Sequence, residues 1–374
     1  MKARRPAHLS GRPLAIALLA LGCAACGTGA GTSTVSASRA ASRAHPSSHS
    51  KPAAGSGRLA GQAPASSTAT TSAAGPGTGT SPALPGSGHP PILLGDKNYT
   101  EQEVLGQLWA QALQAQGYTV SVNQNIGPTS VTMQALKSGT LMVYPEYLST
   151  FDSAIAGYGQ NFKDAADAYA AASRWAGPNG LVLLKRTPFS DTAGIAVTDA
   201  FATANGLRSL YGLRRVATTM TVGGPSQFEA GAPGLQQVAA SYGVTPAAFK
   251  SIPIGDQYAA LDSGSIQAAY VHTTDGQLAT GDYFVLDDSQ HVFGFGNVIP
   301  VISAKAVASE GTAMTDTIDC VDSELSMSVM RELNQLVDVA QQSPAAVAHQ
   351  FLETRGLLTT PCRASVPGTV GSAP

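Results

Sequence analysis

The chain has 374 residues, of which 43% are apolar and 12% charged, with 40 Gly, 23 Pro, 4 Cys and a formal net charge of −2. That length suits two domains, or one with extra segments, at ~100–200 residues each. The near-neutral charge, the few cysteines and the lack of any apolar run of ~18 residues exclude a basic nucleic-acid binder, a disulfide-dense miniprotein and a membrane-spanning helix. Charge is unevenly placed, however. Eight Lys and Arg, from Lys2 to Arg58, precede the first acidic residue, Asp96; from position 91 onward 14 basic residues face 24 acidic ones. The region that folds is therefore acidic.

The N-terminus reads as an address and a tether. Residues 2–12 carry four positive charges, Leu14–Leu21 is apolar, and Gly22 precedes Cys23, the order of a secretory signal over 1–22. Leu19-Ala20-Leu21-Gly22-Cys23 resembles a bacterial lipobox, which implies acylation at Cys23, with Cys26 as the competing site. Residues 23–90 are nearly all Gly, Ala, Ser, Thr and Pro. Such a segment buries too little apolar surface to order itself, so a disordered tether is expected.

From Pro91 onward, helical and strand patterns alternate. Ile92–Leu94 is a short apolar strand, and Thr100 to Glu103 has the spacing of a capping box at the head of a helix that ends at Gly117. Strands are expected at Tyr118–Val122, Leu141–Tyr144, Leu181–Leu184, Gly194–Val197, Thr221–Gly223, Ile266–Val271 and Tyr283–Leu286. Helices are expected near Ser130–Lys137, Lys163–Trp175, Gly234–Tyr242, Gln257–Asp262, Ser323–Gln341 and Ala345–Arg355. Alternation of this kind predicts an α/β protein with mainly parallel sheets. One segment repeats: Ala135-Leu136-Lys137-Ser138-Gly139-Thr140-Leu141 returns as Ala260-Leu261-Asp262-Ser263-Gly264-Ser265-Ile266. Both read as helix, Ser-Gly turn, strand. Ligands in open α/β sheets sit beyond the carboxyl ends of strands, so two equivalent strand ends suggest two similar lobes facing one cleft.

No chemistry-bearing constellation emerges. The G-x-S-x-G elbow is absent, and beyond position 91 the three histidines, His272, His291 and His349, are scattered singly, so neither nucleophilic catalysis nor a metal site is expected. Cys320 and Cys362 are the two thiols of the exported domain, beyond position 90. In an oxidising compartment they read as a disulfide.

The stretch Gly95-Asp96-Lys97-Asn98-Tyr99-Thr100-Glu101-Gln102 resembles the opening motif of ABC-transporter solute-binding proteins for glycine betaine, choline and related osmoprotectants. Further similar elements are Gln134 to Gly139, Val143-Tyr144-Pro145-Glu146-Tyr147, Gly223 to Phe228, Pro233-Gly234-Leu235 and Thr274-Asp275-Gly276, in family order over about 91–358. The resemblance implies a two-lobed periplasmic-binding-protein-like fold with two crossovers and a central ligand cleft. Crossovers near Val197 and Val292 would make 91–197 with 292–374 lobe one and 198–291 lobe two. It also implies an exported, lipid-anchored partner of ABC permease subunits on the outer face of the cell membrane. Such a protein captures a small osmoprotectant-type solute, with no catalysis, cofactor, metal or nucleic acid.

Family members hold a quaternary ammonium in a tyrosine cage and a carboxylate on Lys, Arg and Thr. Lys97, Tyr147 and Thr150 match such positions, and Asp191 matches an acid near the crossover. Elsewhere the chain departs: Ala193, His272 and Gly296 or Asn297 stand at cage positions, and Ala230 or Gly231 at that of the Arg. The implied ligand set is Lys97, Tyr147, Thr150, Asp191, His272, Thr273, Phe295 and Asn297. Fewer rings leave a second reading, a pocket rebuilt around hydrogen bonds for a polyol or polyphenol. A third is a surface sensor or interaction protein that keeps the fold without a transport role.

Overall fold

The structure, a computed structural model, describes residues 83–159 and 162–358. Cys23, Cys26, Cys362 and most of the expected tether lie outside the described residues. The last residues of that tether, from 83 on, are packed rather than disordered. The Gly86 N–H donates to Gln116 O at 2.9 Å, and the His89 ring lies 5.6 Å from that of Tyr118.

The chain runs β1 (Ile92–Gly95), α1 (Thr100–Ala115), β2 (Val120–Asn123), α2 (Thr129–Ser138), β3 (Val143–Tyr147), α3 (Leu148–Thr150), α4 (Ala165–Ala176) and β4 (Leu181–Leu183). It then enters a second unit: β5 (Ala193–Thr198), α5 (Asp199–Asn205), β6 (Thr221–Gly224), α6 (Ser226–Ala230), α7 (Leu235–Tyr242), β7 (Ala248–Ser251), α8 (Gln257–Asp262), β8 (Ala268–His272) and β9 (Tyr283–Val285). It returns through β10 (Val298–Ser303) to α9 (Ala304–Glu310), α10 (Thr312–Ser323), α11 (Met327–Asp338) and α12 (Pro344–Thr354).

Two five-stranded sheets result, ordered β2-β1-β3-β10-β4 and β7-β6-β8-β5-β9. Each is the centre of a lobe, with apolar cores on both faces. Alternation along β10 shows how: Val298 and Ile302 enter the core under α1, while Ile299 and Val301 enter the one under α4. The sheets are mixed, not mainly parallel. β10 runs antiparallel to β3 and β4, and β5 to β8 and β9, because the chain reverses direction each time it changes lobe. The first crossing lies between Leu183 and Ala193, ahead of Val197, which belongs to the second sheet. The second crossing spans Leu286 to Asn297 and contains Val292.

β10 escapes a propensity reading because Pro300 interrupts its apolar run. In the structure Pro300 faces Pro145 of β3. The flanking bonds, Ser303 N–H to Met142 O and Leu148 N–H to Asn297 O, put this pair at a register position that exchanges no hydrogen bonds across the two strands. The missing N–H groups therefore cost this pairing nothing. The expected capping box also differs. Tyr99 occupies the N-cap without a side-chain bond, and Thr100 Oγ1 instead donates to Asp338 Oδ1 of α11 at 2.5 Å.

The repeated segment marks the centre of each sheet. α2 leads through Gly139 toward β3, and α8 through Gly264 toward β8, with φ of 78° and 70° that only glycine adopts freely. Ser138 and Thr140 hydroxyls donate to Ala135 O as Ser263 and Ser265 hydroxyls donate to Ala260 O. β3 and β8 are the third strand of their respective sheets.

Candidate functional site

A cavity of about 900 Å³ opens between the lobes, beyond the ends of β3 and β8. Lobe one presents Tyr99, Glu101 and Tyr147, and lobe two presents Phe228, Tyr258 and Tyr270; Asp191 and Phe293 enter from the crossings. Six aromatic side chains therefore line it. The Tyr99 and Tyr147 rings stack at 6.0 Å, and Phe228 lies 4.9 Å from Tyr270. An aromatic cleft is thus present, rebuilt largely from positions that the family pattern did not mark. The signal was available in part: Tyr270 stands two residues before His272 on the same strand.

Of the residues picked from the sequence, Tyr147, Thr150, Asp191 and His272 line this cavity. Tyr147 OH donates to Glu101 Oε1 at 2.8 Å, which fixes the ring. Asp191 reaches His272 Nδ1 at 3.2 Å, and His272 Nε2 meets Tyr270 OH at 3.2 Å. Burial disfavours the imidazolium, but the Asp191 carboxylate, with Asp275 and Glu101 behind it, outweighs this and pushes His272 up to about 9. Burial also drives Glu101 up to about 8, aided by Asp191. Both side chains are thus biased toward their protonated forms.

The other four lie elsewhere. Lys97 Nζ donates to both oxygens of the buried Glu146 at 2.8 Å and to Thr129 Oγ1 at 3.2 Å, so its three donors are occupied. Glu146 also accepts from Tyr144 OH and the Tyr147 N–H. The motif Tyr144 to Tyr147 builds a buried ion pair that carries Tyr147. Asn297 is buried, its Nδ2 donating to Thr187 O and Phe189 O across the crossings. Thr273 Oγ1 donates to Ser190 O, and Phe295 packs on His291; both line a separate depression behind the crossings. Of the hydrogen-bonding set read for a polyol pocket, His272, Thr150 and Asp191 line the cavity, while Asn297 is engaged at the crossings outside it.

Thr274-Asp275-Gly276 has a positional role. Asp275 Oδ2 accepts from Tyr258 OH at 2.7 Å and from the His272 N–H at 3.1 Å, so it orders the end of β8. Thr274 O accepts from Asn334 Nδ2, and Gly276 lies against the α11 backbone, where a Cβ would stand 2.6 Å from Gln335 N. Helix α11 thus docks lobe two onto lobe one beside the cavity. Among the described residues no group of three His, Cys, Asp or Glu is placed to hold a metal ion.

Residues 90–354 match the family model described as the substrate binding domain of ABC-type glycine betaine transport system. A glycine-betaine-binding protein of Pseudomonas aeruginosa is 31% identical over 278 residues, covering 71% of this chain and 88% of its own. The glycine betaine-binding protein YehZ of Escherichia coli is 28% identical over 280 residues, covering 71% and 91%. Among solved structures, a glycine betaine/carnitine/choline ABC transporter protein superposes with a TM-score of 0.67 at 20% identity, over 71% of this chain and 99% of the other. Apo YehZ from Escherichia coli gives 0.63 at 26% identity, over 71% and 99%. With two lobes, two crossings and an aromatic cleft between them, the chain belongs to the family of substrate binding domains of ABC-type glycine betaine transport systems.

Proposed function

We infer that this protein is the extracytoplasmic solute-binding component of an ABC importer, holding a small quaternary ammonium solute of the osmoprotectant class between its lobes for delivery to the permease. The observation that carries this is a cavity with tyrosines from both lobes, Tyr147 and Tyr270, and no Lys or Arg in its lining. Ring faces attract a desolvated ammonium by ~0.5–2 kcal/mol each, and a ligand held by both lobes favours closure. The relatives named for glycine betaine or carnitine support the same class. Solution scattering with choline and glycine betaine tests it. Contraction with either solute supports capture between lobes; invariance up to millimolar concentration of both overturns it.

The anchor and the disulfide belong to the same reading. Acylation at Cys23 tethers the domain to the outer face of the cell membrane through residues 24–82, and Cys23→Ala releases it into the medium. Retention of that variant, with release on Cys26→Ala, moves the site to Cys26. A Cys320–Cys362 bond closes a loop of about 42 residues, for ~4 kcal/mol in the entropic model. Intact mass with and without alkylation after denaturation counts the thiols; with Cys23 acylated, Cys26 alone is expected free, and three free thiols contradict the bond.

A further inference from the structure

The solute class leaves a choice between zwitterions that carry a carboxylate and cations that do not. The lining of the cavity bears on it. Four acidic side chains, Glu101, Asp191, Asp275 and Asp338, face it, Glu101 biased toward its protonated form, against one basic side chain, His272. That ring is held by Asp191 and Tyr270. Lys97, the one cation in the opening motif, is bound on all three protons by Glu146 and Thr129. Arg331 turns its Nε to Thr273 O at 2.8 Å and lines the depression behind the crossings. At the loop after α6, the cavity is met by Gly231, which has no side chain. Among the described residues no cation is left free to meet a ligand carboxylate, while a carboxylate brought here would face those of Asp191, Asp275 and Asp338.

A second, independent feature is Asn334 on α11, a cavity-lining residue only 3% exposed. Its Nδ2 donates to Glu101 Oε2 at 3.2 Å and to Thr274 O at 2.9 Å. A main-chain carbonyl only accepts, so the amide orientation is fixed by its partners rather than by choice. Oδ1 is then left as a buried acceptor with no donor among the described residues. A buried acceptor of this kind is costly and calls for a hydrogen-bond donor from whatever fills the cavity. Neither a trimethylammonium head nor a carboxylate tail supplies one. A hydroxyl does.

We propose that the cleft selects a carboxylate-free quaternary ammonium bearing a hydroxyl donor over carboxylate zwitterions, with Asn334 Oδ1 as the acceptor that reads that donor. The rings of both lobes take the ammonium, the acidic lining favours net positive charge, and Asn334 sets which cation is preferred. Because this rests on the solute-binding reading above, the experiment separates the two. Calorimetry on the purified protein compares choline, O-methylcholine, tetramethylammonium and glycine betaine. Choline is expected to bind about tenfold or more tighter than each of the others. Glycine betaine binding as tightly as choline overturns the charge selection and leaves the solute class intact. O-methylcholine binding as tightly as choline overturns the donor and needs no variant. In Asn334→Ala the preference for choline over O-methylcholine is expected to vanish whatever the change in overall affinity, and a preference that persists overturns Asn334 as the reader of the donor. A uniform loss for all ligands would reduce Asn334 to a structural role. No binding by any quaternary amine at millimolar concentration removes the solute class itself, and this inference with it.

Discussion

At the scale of single residues, the cleft presents rings whose hydroxyls are tied back into the protein. Tyr147 leans on Glu101 and Tyr270 on His272, so the faces, not the hydroxyls, are offered to a ligand. Tyr270→Leu is expected to weaken quaternary ammonium binding about 2- to 30-fold, read by calorimetry with folding unchanged. Unchanged affinity would remove Tyr270 from the cage. Glu101 and His272 set a pH dependence. Each is held protonated above its ordinary range, so each contributes stability at low pH that is lost as pH rises. The window runs from about 4.5 to about 8 for Glu101 and from about 6.5 to about 9 for His272. The His272 side chain is 42% exposed, and solvent screening limits its share to about 1 kcal/mol. Urea unfolding across pH 5–9 is expected to show a decline that Glu101→Gln lessens; parallel curves would show that Glu101 does not titrate in this range. Tyr147, Thr150 and Asp191, picked as motif matches, and His272, picked as a departure at a cage position, were placed on the cavity by motif alignment alone. Glu101 sat inside the opening motif but, on a helix face, looked like a capping residue. Asn334 and Tyr258 carried no local signal, because long-range packing alone brings them to the cavity.

At the scale of elements, the repeated helix-turn-strand segment proved the most informative feature of the sequence. It identified β3 and β8, the strands whose ends deliver Tyr147 and His272 to one cavity. What stayed hidden was the fourth strand of each sheet running antiparallel, since direction follows from where the chain has come from and not from periodicity. Lys97 was read as a ligand because of its motif, yet a second motif, Val143 to Tyr147, supplies Glu146, whose burial demands a cation. Lys97→Met leaves that carboxylate uncompensated and is expected to cost ~3–5 kcal/mol in denaturant unfolding. Lys97→Met with Glu146→Gln should recover part of it; a silent Lys97→Met would mean the pair contributes nothing. The docking of α11 gives a second test. Gly276→Ala pushes a methyl group against the Gln335 backbone and is expected to destabilise by ~1–3 kcal/mol. It should also loosen the lobes, read as a larger radius of gyration without ligand. A neutral outcome would show that α11 yields easily there.

At the scale of the whole molecule, an acidic α/β domain follows an N-terminal stretch whose charges are all basic, and the charge summary of −2 conceals that division. The acidic field aids encounter with a cation, and selectivity belongs to the cleft. On the proposed function, closure follows from the same architecture: two lobes joined by two crossings each contribute rings to a single cavity, so one bound ammonium would stabilise the arrangement in which both sets of rings reach it. The most direct measurement is a crystal structure of the protein grown with choline. The account predicts the ammonium within ~6 Å of the ring centroids of Tyr147 and Tyr270 at once, with the lobes closed on it. Choline bound against one lobe only, or outside the cavity, would contradict it.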